Sequence, residues 1–271
     1  GDVQAAVDRL TMTEPATALA GELASSAESV LDWLQAEGIR FVKGGALEFM
    51  RWILAPPRPR RPGLDWKGRG PDVLLRRLTE SLETRGGGLR RGTWATELER
   101  VGDGWRLQVR SAQGEETLAA GSVVIADGGF QGSPAHLKRY VSSRPDALFQ
   151  RGAGTGRGDG LELALSAGAA VVGMNRFYGH LLGRDVFENE GLWPYPTVDA
   201  IAQVSVLVDE RGNRFADEGR GGVFLANELA QQPDPLGANV IFDDAVWNGI
   251  AADNRYPPCM NPSFVQAGGT V

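Results

Sequence analysis

Three places in this chain have residue types and spacings that could do chemistry. A short apolar run, Val123-Val124-Ile125-Ala126, breaks on Asp127-Gly128-Gly129-Phe130. From Gly152 to Gly160 glycine takes every second position, and that run opens into a helix of small residues, Leu161 to Ala170. Met174 and Phe177-Tyr178-Gly179-His180 then place a lone histidine after an aromatic pair. Glycine where a strand leaves its sheet lets backbone approach a ligand with no Cβ in the way. Ligands of open α/β sheets bind at those carboxyl ends. A helix start offers N–H groups and a positive dipole end to negative or electron-rich groups. Histidine donates to a carboxylate or moves a proton near neutral pH. Together they suggest backbone moulded around a large ligand, with substrate chemistry beside it.

Each feature also has a plain structural reading. Gly128-Gly129 serves equally as a tight strand-to-loop turn. Asp159 either faces a ligand or caps the helix it begins, and spacing alone favours the cap. A lone histidine such as His180 is more often a hydrogen-bonded structural residue than a catalyst. Tyr178, Tyr195 and Arg220 are further polar candidates, although Tyr195, between two prolines, also suits a packed loop aromatic. His136 shares an expected surface helix with Lys138 and Arg139 and is given no role. Cys259 has no activating partner nearby in the sequence and reads as an inert thiol. The glycine run is no dinucleotide fingerprint: neither G-x-G-x-x-G nor G-x-x-x-x-G-K-[ST] occurs in the chain.

Composition removes several function classes. One cysteine excludes an internal disulfide framework and a cysteine metal cluster, and two histidines exclude a histidine-rich metal site. A net charge of -6 argues against nucleic acid as the main partner. No apolar run is long enough to span a bilayer, and Gly1-Asp2 begins no signal peptide. The expectation is a soluble, cytoplasmic globular protein with one large core or two modest ones.

Elements must position these residues. Glu14 to Glu37 has Leu19, Leu23, Ala27, Val30, Leu31 and Leu34 at helical spacing and a stop at Gly38. Ala55 to Gly63 is too proline-rich for helix or central strand and reads as a solvated loop. Pro71 opens a second helix with Leu74, Leu75, Leu78 and Leu82 inward, closed by Gly86-Gly87-Gly88. Trp94–Leu98, Trp105–Val109 and Glu116–Leu118, joined at Asp103-Gly104 and Gln113-Gly114, predict a β-meander. Val123–Ala126, apolar without alternation, suits a strand covered on both faces. Leu192 to Pro196 is irregular, Val204–Asp209 alternates and turns at Arg211-Gly212-Asn213, and Val240-Ile241-Phe242 predicts another strand. A second domain is expected to begin near Arg176.

With these residues in place, the chain resembles the FAD-dependent fumarate reductase/succinate dehydrogenase flavoprotein superfamily, nearest to its soluble dehydrogenases of the tricarballylate dehydrogenase kind. The matching pieces are Val123–Phe130, Gly158-Asp159-Gly160 with Gly168-Ala169, Phe177–His180, Leu192–Pro196, Arg211–Glu218 and Val240–Asp243, in the expected order. The resemblance implies an α/β fold. A partial Rossmann-like FAD-binding domain with its β-meander would span 1–175, and part of an inserted α+β cap 176–271, with substrate held between them. It implies that Ala95, Ala126, Asp127, Gly128, Gly129, Gly158, Asp159 and Gly160 lie at the FAD. His180 would hold the substrate, and Tyr195 or Arg220 would handle a proton, while hydride passes between a substrate carbon and flavin N5.

Three departures qualify the match. The amino-terminal G-x-G-x-x-G unit and the carboxy-terminal closing segment are absent, so the chain is expected to be an internal fragment. The position of the fumarate reductases' proton-donating arginine is Gly222, with Arg220 two residues early, and Thr197 is followed by Val198 rather than glutamate. Asp127 replaces the small or threonine-like residue common before Gly-Gly, which suits the dehydrogenase branch. The expected activity is therefore dehydrogenation or reduction of a carbon–carbon bond in a carboxylate substrate. The alternatives are a ketosteroid dehydrogenase-like flavoenzyme, favoured by an apolar cleft without a cationic anchor, and a truncated non-catalytic relative serving as a binding or structural domain.

Overall fold

The computed structural model describes residues 17–43, 52–55, 68, 70–150, 152–190 and 197–248. By contacts the chain forms two compact units, Gly1–Leu89 and Arg90–Val271.

In the first unit, α1 (Thr17–Ala36) ends where expected. Gly38 takes a left-handed φ of 85°, and the Ile39 N–H reaches back to Leu34 O at 2.9 Å, so glycine reverses the chain and satisfies the last carbonyls. Residues 14–16 of the expected helix lie outside the described residues. β1 (Phe41–Val42) and β2 (Ile53–Leu54) form a short antiparallel pair before α2 (Gly70–Thr84). Glu37 accepts hydrogen bonds from Ser81 Oγ and Arg85, each at 2.6 Å, tying the end of α1 to α2. These bonds hold the Glu37 carboxyl below its ordinary range. The apolar faces expected to turn inward are only partly covered: Leu19, Leu23 and Val30 of α1 and Leu75 and Leu82 of α2 are exposed. Periodicity marks an amphipathic helix, but burial also needs a partner surface.

The second unit begins with the predicted meander, extended by a few residues: β3 (Trp94–Val101), β4 (Gly104–Ser111) and β5 (Gly114–Ala120), antiparallel in that order. The register slips between Ala95 and Glu97, a bulge that re-aims the start of β3. Leu98 and Val109 are buried. After two glycine turns come α3 (Pro134–Tyr140) and α4 (Asp159–Ser166), the latter packed on β3.

One expectation fails here. Val123–Ala126 has no regular secondary structure and forms no strand, and Val124 is 88% exposed. A strand exists only where a neighbour takes its backbone hydrogen bonds, and no described strand lies beside this segment.

The remainder is built on α5 (Asp199–Ala202), β6 (Val206–Val208), α6 (Gly222–Ala230), β7 (Asn239–Ile241) and α7 (Asp244–Asn248). β6 and β7 pair antiparallel, as two strands at these places were expected to exist. Leu181, Val198, Ile201, Ala202, Leu207, Leu225 and Ala226 form one buried cluster that clamps the segment after Phe177 against α5 and α6. The Arg211-Gly212-Asn213 turn is closed by Asp209, whose Oδ1 accepts the Arg211 and Asn213 N–H groups at 2.9 and 2.8 Å. Buried Glu218 accepts the Leu207 N–H at 2.7 Å and the Arg214 guanidinium, and these bonds hold its carboxyl at about 2. The Arg214–Glu218 pair is therefore a brace beneath β6.

Candidate active site

The two glycine turns meet. The Gly160 N–H, in the first turn of α4, donates to Asp127 Oδ2 at 2.8 Å. The residue at the N-cap is Gly158, left-handed at φ 85° with no side-chain cap, so Asp127, distant in sequence, does the capping for which spacing had favoured Asp159. Asp159 itself is exposed in the first turn. A Cβ on Gly160 would collide with the Asp127 carboxylate and with Ile125, so this glycine is required by the close approach. The Gly132 N–H donates to Gly156 O at 2.7 Å, closing one turn on the other.

His136 acts as a latch across the same junction. Its Nδ1 lies 2.7 Å from Ser133 Oγ, its Nε2 lies 2.8 Å from Glu162 Oε1 on α4, and its ring rests beside Gly158. The side chain of Gln131 lies against Gly129 and Gly156 and also lines a neighbouring cavity.

That cavity, about 410 Å³, has mostly aliphatic and aromatic walls. One wall comes from Leu137, Val141, Leu148 and Phe149, the other from Phe177 to Phe187 and from β7. Tyr178 and His180 both line it, and Arg184 does so while donating to Leu236 O at 3.2 Å.

Around His180 the structure assembles side chains that are far apart in the sequence. His180 Nδ1 lies 2.5 Å from Asp199 Oδ2, and its Nε2 lies 3.2 Å from the Tyr178 hydroxyl. The other oxygen of Asp199 accepts the Leu181 N–H at 2.9 Å, so the carboxylate grips the backbone and the imidazole together. Asp199 fits because Gly222 has no side chain: a Cβ there would collide with the Asp199 carboxylate. This explains why the position reads glycine rather than arginine. On α6, buried Asn227 accepts the Phe177 N–H at 3.0 Å and donates to Phe177 O and Val223 O, each at 2.8 Å. The backbone entering Tyr178 is thereby fixed from both sides.

The other expected residues are placed as follows. Ala95 lies at the bulge of β3, half-buried. The guanidinium of Arg220 sits 3.7 Å from the ring centroid of Phe224, a cation–π contact, and Arg220 is not among the cavity's lining residues. Tyr195, Leu192–Pro196 as a whole and Cys259 lie outside the described residues. Sequence reasoning missed Asp199, Asn227 and Gln131. Asn227 had one signal, the single amide in the largely apolar helix Gly222–Ala230, whereas Asp199 had none nearer than its fold.

No described backbone hydrogen bond engages Ala126, Gly128 or Gly129, all of which are exposed. Free peptide donors and acceptors with no side chain in the way fit the neutral, hydrogen-bonding edge of a flavin. At the start of α4 the Gly160 N–H, which was expected to be open to a negative or electron-rich group, is taken by the Asp127 carboxylate. Among the described residues no cluster of His, Cys, Asp and Glu could hold a metal, and no helix is long and apolar enough to cross a membrane.

Comparison with known proteins agrees with this cofactor chemistry. Residues 4–249 match a family described as "FAD binding domain". A vinyl phenol reductase of Lactiplantibacillus plantarum is 28% identical over 201 residues, covering 70% of this chain and 40% of that protein. The crystal structure of a 3-ketosteroid-Δ4-(5α)-dehydrogenase from Rhodococcus jostii RHA1 superposes with a TM-score of 0.55 at 18% identity, over 91% of this chain and 54% of that one. The chain thus spans about half or less of the length of these relatives, and the structural likeness supports the FAD-binding fold.

Proposed function

This chain belongs to the FAD binding domain family, and from that premise we propose that it is the cofactor- and substrate-facing part of an FAD-dependent oxidoreductase. The bond acted on is a carbon–carbon bond of a small molecule held in the 410 Å³ cavity. When bound, the flavin supplies hydride chemistry. Ala126, Gly128 and Gly129 offer it their peptide groups. Asp127 orders Gly158, Asp159 and Gly160 against them, and Ala95 meets it from β3.

The single observation that carries this reading is the cavity's pair of walls. One wall follows directly on the glycine turn, and Gln131 belongs to both. The other bears Tyr178 and His180. A molecule seated there would touch Gln131, beside the glycine turn, and Tyr178 and His180 at once. In this reading 1–175 serves the cofactor and 176–271 the substrate.

The substrate class follows from the walls. They are largely apolar, and Asp199 already occupies one nitrogen of His180 with negative charge, which disfavours a second carboxylate nearby. A ring substrate with a conjugated carbon–carbon bond and one oxo or hydroxyl oxygen suits such a site. Vinyl phenol and a 3-ketosteroid, which the relatives' names mention, share that pattern. The carboxylate substrate expected from the tricarballylate dehydrogenase kind is the second reading, and Arg184 at the lining is the observation in its favour. Tyr178 and His180 face the substrate from the lining in either case.

A turnover assay on the full-length protein with an artificial electron donor or acceptor tests this. The expected result is turnover of vinylphenols or ketosteroids, or their reduced forms, with dicarboxylates inert. Turnover confined to dicarboxylates overturns the apolar assignment.

A further inference from the structure

We infer that Tyr178, His180 and Asp199 form a proton relay at this cavity, in which Tyr178 exchanges the proton with substrate and Asp199 is a positioning residue. The inference rests on the reading that the cavity holds the substrate.

The order of atoms sets the direction of the relay. A carboxylate only accepts, so Asp199 Oδ2, 2.5 Å away, fixes the proton of a neutral His180 on Nδ1. The free pair is then on Nε2, which faces the Tyr178 hydroxyl at 3.2 Å, and the phenol donates to it. The Tyr178 ring stands edge-on to the imidazole, with centroids 5.2 Å apart and planes at 81°. Tyr178 is 82% exposed and lines the cavity, so its oxygen is open to a substrate, whereas Asp199 is not.

The surroundings hold this order. Asp199 cannot swing away without releasing the Leu181 N–H, Gly222 leaves it room, and Asn227 fixes the peptide of Phe177 just before the tyrosine. A phenol alone, with a pKa near ~10, is a poor base at neutral pH. A phenol that hands its own proton to a neighbouring imidazole as it takes another becomes a competent one.

In the oxidative direction Tyr178 passes its own proton to His180 Nε2 as its oxygen takes a proton from a substrate carbon. A flavin, when bound, would take up the hydride from the neighbouring carbon. Each carbon loses one hydrogen, and the electron pair left by the departing proton becomes the new π bond. One positive charge ends on His180 beside Asp199. In the reductive direction the imidazolium returns the proton through Tyr178.

The test uses the full-length flavoprotein and two readouts. With a turned-over substrate, Tyr178→Phe should lower kcat by about 100-fold or more while substrate Kd changes less than about threefold. Asp199→Asn keeps an oxygen for the Leu181 N–H. It should lower kcat more than about tenfold and displace the pH dependence of kcat. Independently of activity, ¹⁵N resonances of His180, assigned by their loss in His180→Gln, should show the Nδ1–H tautomer, shifted toward Nε2–H in Asp199→Asn. Unchanged kcat in Tyr178→Phe overturns the relay and leaves the flavoenzyme reading standing. A protein that takes up no FAD defeats that reading instead, and the tautomer still decides the relay: Nε2–H in the unsubstituted protein sinks it.

Discussion

The glycine turns and the His180 cluster are built by opposite means, and while Tyr178 and His180 line the cavity, the turns reach it only through the neighbouring Gln131. Around Ala126–Gly129 and Gly152–Gly160 the chain removes side chains so that backbone can face a ligand, and one carboxylate, Asp127, joins the two turns. Around His180 the chain adds side chains: Asp199 and Asn227 reach back to hold two consecutive stretches of backbone and one imidazole. The first design presents a surface that suits a large cofactor. The second fixes the orientation of a few polar groups against apolar walls, as proton chemistry on a small substrate requires.

This difference can be broken from either side. The largest loss of stability is expected on the side-chain side. Asn227→Leu leaves the Phe177 N–H and two carbonyls without their partner, at a cost of about 3 kcal/mol. Chemical denaturation should show it, and catalysis should fall further than stability explains because Tyr178 is released. On the backbone side, Gly160→Val forces a side chain into the Asp127 carboxylate and Ile125, costing about 2 kcal/mol. FAD affinity, followed by flavin fluorescence, should drop with it while the His180 resonances stay unchanged.

A smaller effect separates the two further. Asp127→Ala removes the cap of α4, worth about 1 kcal/mol in thermal unfolding, and lengthens the reach of the glycine run. The last test is one of acid stability and concerns Glu218. Its folded carboxyl titrates at about 2, below the ordinary value of 4.5. Its stabilisation is therefore complete above about 4.5 and lost as pH falls toward 2. Acid unfolding followed by circular dichroism should be less steep in Glu218→Gln across that window.

The same contrast decides what could be read in the sequence. The meander was legible because alternation and Asp103-Gly104 and Gln113-Gly114 turns are local signals. The glycine turns were legible for the same reason, as were both helices of the first unit, whose stops at Gly38 and Gly86 have left-handed φ. Val123–Ala126 misled, since four apolar residues announce a buried strand only if a neighbouring strand covers them. Asp159 misled in the same way: adjacency suggested a cap that Asp127 makes across the fold. His180 was visible as a residue but not as a site. Its partner Asp199 comes from α5 and the clamp Asn227 from α6, and neither distance along the chain carries a period or motif.

The measurement closest to the central claim is the visible absorbance spectrum of the purified full-length protein, as isolated and after titration with FAD. The account predicts flavin bands that reach one FAD per chain and that shift when a ring substrate with a conjugated bond and one oxygen is added. A colourless protein that takes up no FAD contradicts it.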